Sequence, residues 1–235
     1  PGEPETIRTE ASTYNSLGQL VSVISPEGTL HYEYDPATGR KIRAWSSGAT
    51  DTRYAYDSEG RLATVSSVTT NEAGDTVTND YRYSYTAVGS RETVSLPNGV
   101  RTAYAYNNLN RLTTLTHANS AGQILGSYAY TLAPDGRRTG VQETLITDHG
   151  SRITNHVSYT YDDLNRLTKE VITATASGAP GSEVMSGEYE YDLVGNRLRR
   201  VVSAGGEILE TRYTYNENDQ LLTEVHAVSL AQIPV

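Results

Sequence analysis

The sequence predicts an all-β chain: tandem β-hairpins pairing edge to edge into one continuous, curved antiparallel sheet. Three observations predict it. A tyrosine motif returns nine times, its last tyrosine at intervals of 20 to 31 residues, the mark of a repeat array rather than of one closed core. Each motif is followed by Gly, Asn or Asp, the residue types that enter the left-handed region at least cost. A second glycine-bearing turn separates each motif from the next, so each unit carries two turn signals and hence two strands. Apolar residues show no helical period.

The units follow in order. They read YNSLGQL from Tyr14, YEYDPATGRKI from Tyr32, YAYDSEGRL from Tyr54, YSYTAVGSRET from Tyr83 and YAYNNLNRL from Tyr104. YAYTLAPDGRR from Tyr128, YTYDDLNRL from Tyr159, YEYDLVGNRL from Tyr189 and YTYNENDQLL from Tyr213 complete the set. Eight of the nine begin as Tyr-x-Tyr, which adds Tyr34, Tyr56, Tyr85, Tyr106, Tyr130, Tyr161, Tyr191 and Tyr215. Side chains alternate along a strand, so both rings of a pair fall on one face. Of the 18 tyrosines only Tyr81 lies outside the motif. The rings of successive units are expected to stand beside one another as an aromatic ladder, each step contributing about 0.5–1.5 kcal/mol.

Asn or Asp follows the last motif tyrosine in seven units (Asn15, Asp35, Asp57, Asn107, Asp162, Asp192, Asn216). Such a side chain bonds backbone amides two residues on and starts a turn. The positive-φ positions are Gly18, Gly39, Gly60, Gly89, Asn110, Gly136, Asn165, Gly195 and Asp219. They lie four residues after the tyrosine in seven units, five after Tyr34 and six after Tyr130. Arg or Gln usually follows, then an aliphatic residue such as Leu62, Leu112, Leu167, Leu198 or Leu221. In the fourth and eighth units one residue precedes the Arg (Ser90, Asn196), which predicts a bulge or a longer turn there.

The second turns centre on Gly28, Gly48, Gly74, Gly99, Gly122, Gly150, Gly178 and Gly205. Segments between turns, such as VTNDYRYSY and EILETRYTY, have the β-branched and aromatic composition of strands. The long connections from Leu62 to Tyr81 and from Leu167 to Tyr189 predict longer hairpins. The array spans 1–235, and 227–235 reads as a tail without the repeat. With no initiator methionine and no terminal cap in the pattern, the chain reads as a piece of a longer polypeptide. Open strand edges at both ends predict self-association of the isolated piece.

Net charge is −9, which argues against a nucleic-acid partner. Cations are 17 arginines and two lysines, Lys41 and Lys169. Arginine stacks on rings and forks onto carboxylates, which suits rows of tyrosine and aspartate. Cysteine is absent, so no disulfide framework forms. No apolar run reaches the roughly 18–20 residues of a membrane-spanning helix, and the segment is not expected to insert in a membrane.

The pattern Tyr-x-Tyr-Asp, a short gap, then Gly-Arg-Leu resembles the YD repeat of the Rhs family. YAYDSEGRL and YTYDDLNRL carry it most fully, and nine tandem copies extend it over almost the whole chain. That family includes bacterial Rhs polymorphic toxins, Tc toxin shell components, wall-associated bacterial proteins and teneurins. The resemblance implies a hairpin sheet spiralling into a hollow shell, which in the bacterial toxins encloses a toxic polypeptide. The Asp-Pro-x-Gly core segment with its self-cleaving aspartate is not found in this sequence.

The histidines (His31, His117, His149, His156, His226) form no ligand motif, and no cysteine completes a zinc site. Carboxylates recurring in nearly every unit argue against a catalytic pair, which is needed once. No G-x-S-x-G elbow appears, and the turns at Asp75 and Asp148 lack calcium-loop spacing. The expectation is therefore no enzyme, no cofactor and no metal. The chain reads as a wall segment of a secreted or cell-surface shell around a toxin, its partner being the rest of the same polypeptide. The alternative is an extracellular adhesion or carbohydrate-binding surface, with glycans or a cell-surface receptor as partners.

Overall fold

The computed structural model describes residues 10–46, 50–146, 150–176 and 182–230. The turns at Gly48 and Gly178, Asp148, His149 and residues 231–235 lie outside them. Among the described residues every regular element is a strand. No helix is long and apolar enough to cross a membrane.

The chain divides into two compact units, Pro1–Thr102 and Ala103–Val235. The first holds β1 (Ala11–Tyr14), β2 (Leu20–Ser25), β3 (Gly28–Tyr34), β4 (Lys41–Ser46), β5 (Thr50–Tyr56), β6 (Leu62–Thr70), β7 (Thr76–Tyr85) and β8 (Arg91–Ser95). The strand β9 (Arg101–Tyr106) spans the boundary. The second holds β10 (Leu112–Ala118), β11 (Ile124–Leu132), β12 (Arg138–Ile146), β13 (Arg152–Tyr161) and β14 (Leu167–Ala176). It continues with β15 (Ser182–Tyr191), β16 (Arg197–Ala204), β17 (Glu207–Tyr215) and β18 (Leu221–Leu230). Residues 227–230, read above as tail, thus continue β18.

In the first unit each strand from β1 to β8 pairs antiparallel with the next. In the second the same holds from β10 to β18. The long connections are hairpins of nine- and ten-residue strands, β6–β7, and of ten-residue strands, β14–β15. Period-two alternation sets the faces: in β13 Tyr159 and Tyr161 are half-buried, and Thr160 between them is exposed.

Each of the nine tyrosine-side turns ends at a positive φ, including the non-glycine Asn110 (57°), Asn165 (65°) and Asp219 (59°). Their bonding is uniform. Asn107 N donates to Arg111 O (3.0 Å) and Asn110 N to Asn107 O (2.9 Å); the other turns repeat this, with one extra residue at Asp35–Arg40. Every one of these hairpins for which both strands are paired also slips register at the residue before the turn, as between Ala55 and Tyr56. The bulge expected only at Gly89 and Gly195 is therefore a property of the repeat. Thr86 N to Ser90 O (2.8 Å) and Asp192 N to Asn196 O (3.0 Å) close turns of ordinary length; what shifts there is the arginine, by one position.

The six-residue spacing after Tyr130 also has a different cause from a lengthened turn. Ala133 N donates to Arg137 O (2.8 Å), and Gly136 N to Ala133 O (2.9 Å), so this turn has the common length. The tyrosine pair is displaced instead: Leu132, not Tyr130, directly precedes the turn.

Burial is shallow. Among the described residues the buried apolar side chains are Val141 and Val157, and the fully buried side chain is that of Thr211, at 2% exposure. A strand flanked by two neighbours covers its side chains laterally, so stability rests on the ladder and on cross-strand contacts rather than on an oily interior.

Candidate functional site

The residues that recur in the motif converge at the tyrosine-side turns. There, within each of the two compact parts of the chain, neighbouring repeats are fastened together by three kinds of contact.

The first is a phenol-to-backbone bond. Tyr34 Oη donates to Leu20 O (2.8 Å), Tyr56 to Lys41 O (2.8 Å) and Tyr85 to Leu62 O (2.8 Å). Tyr161 donates to Arg138 O (2.7 Å), Tyr191 to Leu167 O (2.8 Å) and Tyr215 to Arg197 O (3.0 Å). In all six the acceptor lies two residues after the positive-φ residue of the preceding unit. The turn leaves that carbonyl at the end of the hairpin, and the next unit's phenol satisfies it.

The second is made by the residue just after the positive-φ position. Arg40 lies over the Tyr56 ring at 5.7 Å, Arg61 over Tyr85 at 4.8 Å, Arg137 over Tyr161 at 5.1 Å and Arg166 over Tyr191 at 4.9 Å. The same position reaches the next turn's backbone: Gln19 Nε2 to Gly39 O (2.9 Å), Arg61 Nη1 to Thr86 O (3.4 Å) and Arg166 Nη1 to Asp192 O (2.6 Å). Arg111 Nη1 likewise donates to Pro134 O (2.8 Å). Its own turn holds the guanidinium from behind, with Arg61 Nε on Asp57 Oδ2 (2.7 Å) and Arg166 Nε on Asp162 Oδ2 (2.6 Å). The planar fork meets an acid, a ring and a carbonyl at once, which an ammonium cannot do.

The turn acids are fixed as anions. At Asp162 the backbone N–H of Arg166 leads in holding the carboxyl below its ordinary range, with burial opposing and the guanidinium helping. At Asp57 burial is the largest influence and pushes upward, but the bonds from Arg61 outweigh it. Asp35 is lowered by the amides of Thr38 and Ala37. In the sixth unit, where Ala133 starts the turn, Asp135 supplies the acid instead, bonded to Arg137 Nε at 2.6 Å.

Glycine at the turn has a second purpose beyond φ. A Cβ on Gly60 would overlap the Arg40 guanidinium arriving from the preceding unit, and one on Gly136 would come within 2.9 Å of Arg111.

The third contact fills the space between tyrosine strands. Setting aside Tyr104 and Tyr106, no described tyrosine ring meets another; the ring pairs are His31–Trp45 (5.2 Å, stacked) and His117–Tyr128 (6.2 Å, edge-on). The expected phenol-on-phenol ladder is corrected here. Each hairpin inserts one strand between successive tyrosine strands, which sets them about 9–10 Å apart, beyond the 4.5–7 Å of aromatic pairs. Cations occupy the gap. Lys41 Nζ lies over both Tyr32 (5.6 Å) and Tyr54 (4.9 Å). Arg91, Arg138 and Arg197 lie over Tyr83 (5.9 Å), Tyr130 (4.0 Å) and Tyr189 (5.3 Å). These residues two after the turn were missed in the sequence, although a cation recurring where other units carry leucine is a readable signal.

One further charged group stands on β4 and β5. Arg43 forks onto Asp51 (2.8 and 2.9 Å), and Arg53 adds a bond of 2.9 Å. Arg43 also covers Trp45 at 4.5 Å. The Arg43 bond, then that of Arg53, lowers Asp51 to about 2. Among the described residues no buried side-chain N or O lacks a partner, and no three His, Asp or Glu side chains gather to hold a metal. The chemistry this arrangement supports is fastening: acids, phenols and guanidinium groups are engaged with one another.

The family model for the teneurin YD-shell matches residues 11–176. No curated protein matches the chain. By structure the chain is similar to a TcdB2-TccC3 crystal structure, with 15% identity, TM-score 0.45 and 96% of this chain covered. It is similar to the Photorhabdus luminescens Tc holotoxin pore, with 14% identity, TM-score 0.43 and 94% of this chain covered. A porin-like protein from Bacteroides uniformis aligns with 86% of this chain and 88% of its own, at 14% identity and TM-score 0.37. The chain spans 15% of the length of the TcdB2-TccC3 chain and 14% of that of the holotoxin pore chain.

Proposed function

The chain belongs to the teneurin YD-shell family, and from that premise we propose that it is a stretch of shell wall enclosing a toxin polypeptide made in the same chain. The observation that carries this reading is the phenol-to-carbonyl bond that recurs between neighbouring hairpins. A wall must resist separation along its length, and a bond made at six junctions, three in a row between the first and fourth repeats and three in a row between the sixth and ninth, supplies that resistance. The role is steric and non-enzymatic. Further repeats of the same polypeptide continue the sheet and curve it, and the assembly works outside the producing cell. Sugar display draws less support: rings such as Tyr85 and Tyr191 have a guanidinium over them and their hydroxyl on a backbone carbonyl.

Protease protection of the full reading frame tests the enclosure. The polypeptide carried with the repeats is expected to survive digestion at neutral pH and to be cut once denaturant opens the sheet. If it is cut as fast as the free polypeptide while the repeats stay intact, enclosure is wrong.

A further inference from the structure

We propose that the sixth unit carries a binding slot for a phenolic ring, bounded by Arg111, Leu112 and Leu132, where the repeat has lost its own phenol. In the units on either side of the gap the position directly before the turn is a tyrosine whose hydroxyl donates to the second carbonyl after the preceding turn, as in Tyr85 on Leu62 and Tyr161 on Arg138. In the sixth unit that position is Leu132, because Ala133 opens the turn. The equivalent carbonyl is that of Leu112, and leucine has no donor to offer it.

The covering group is also waiting. Arg111 occupies the position from which Arg61 and Arg166 lie over the next unit's ring. It keeps the bond to the following turn, at Pro134 O, but among the described residues it covers no ring. Among the described residues no acid is bonded to its guanidinium: its turn begins with Asn107, whose Oδ1 accepts the Arg111 backbone N–H (3.0 Å), and Asp135, held ionised first by the Arg137 amide and with help from the Arg111 charge, is bonded to Arg137. A cavity of about 390 Å³ lies at this place, lined by Arg111, Leu112, Leu132, Gly136, Arg138, Tyr159 and Tyr161; Arg138 is already engaged over the Tyr130 ring at 4.0 Å. A guanidinium for the ring face, a carbonyl for the hydroxyl and two leucines in an otherwise polar lining point to a phenol as the ligand, either free or as a tyrosyl side chain of another polypeptide segment.

The test uses the whole 235-residue chain with 4-methylphenol as probe, followed by NMR titration. The expected result is saturable binding at one site, with toluene about tenfold weaker because it lacks the donor. Benzoate tests the rival reading that Arg111 and Arg138 take an anion; it is expected to bind more weakly than the phenol, since its carboxylate has no proton to donate to the Leu112 carbonyl. Leu132→Tyr should abolish binding and raise the melting temperature, and Arg111→Gln should weaken binding severalfold. N-acetyltyrosinamide binding alongside 4-methylphenol assigns the slot to tyrosyl side chains; 4-methylphenol binding alone assigns it to free phenols. No binding, toluene or benzoate binding as tightly as the phenol, undiminished binding in Leu132→Tyr, or failure of Leu132→Tyr to fold would each overturn the slot.

Discussion

The hydroxyl of Tyr191 donates to the carbonyl of Leu167 at 2.8 Å, joining residues 24 apart in two successive units. Tyr191→Phe keeps the ring under Arg166 and removes only this bond. It should cost about 0.5–1.5 kcal/mol, the usual net worth of a hydrogen bond. Tyr81→Phe, at a tyrosine outside the motif and 37% exposed, should stay within about 0.5 kcal/mol of the parent. Urea midpoints of the two variants check this; equal midpoints would mean that the phenol bond does not hold the units together.

The two purposes of glycine at the turns can be separated. Gly60 (φ 78°) and Gly89 (φ 88°) have the same backbone demand. A Cβ on Gly89 meets nothing within 4 Å, whereas one on Gly60 overlaps the Arg40 guanidinium. Both alanine variants lose about 1–2 kcal/mol to the left-handed conformation. Gly60→Ala should lose more, because Arg40 must also leave the Tyr56 ring, a contact worth about 0.5–1 kcal/mol. Thermal melts of the two variants side by side give the difference directly.

Much of this architecture was legible in the sequence, for reasons that particular residues make plain. Gly, Asn or Asp at nine fixed places encoded the positive φ, since Asn110, Asn165 and Asp219 are the non-glycine types that tolerate it. Arginine in preference to lysine foretold rings and acids as partners, and Arg61 and Arg166 have both. What misled was taking the tyrosine pair itself as the frame. Ring stacking between units presumed adjacent tyrosine strands, yet a hairpin repeat places an even-numbered strand between them, and Lys41 fills that space. In the sixth unit the turn fixes the frame, so Leu132 inherits the place that sequence assigned to Tyr130. The turn is the firmer reference because its backbone bonds depend on a φ few residues adopt, whereas a ring can move by two residues and stay on the same face.

Acid should loosen the sheet before alkali does. Asp51 ionises at about 2 in the folded chain, against about 3.9 for a free aspartate. Because the folded value is depressed, its stabilisation is complete above about pH 4 and is lost as pH falls toward 2. The turn acids Asp35, Asp57, Asp135, Asp162 and Asp192 are lowered as well and act in the same direction. The urea midpoint should therefore be flat from pH 7 to about 5 and fall steeply below about 4. Asp51→Asn should lower the plateau and flatten the fall between pH 4 and 2. A midpoint that drops as steeply in the variant as in the parent would remove Asp51 from the account.

Arg166 is the sharpest test of the fastening as a whole. Its Nε holds Asp162 (2.6 Å), its Nη1 holds Asp192 O (2.6 Å) and its plane covers Tyr191 at 4.9 Å. Lysine retains the charge but is a point donor on a flexible stem, so it can meet one of these partners and not all three. Arg166→Lys should therefore cost about 1 kcal/mol, from the lost carbonyl bond and ring contact together. Pairing it with Tyr191→Leu separates the two losses. If the guanidinium acts on the ring, Arg166→Lys costs less once the ring is gone, and the double-mutant cycle returns a coupling of about 0.5–1 kcal/mol. A coupling of zero would remove the ring contact from the account and leave the Asp192 carbonyl bond and the phenol bond to tie the seventh and eighth units.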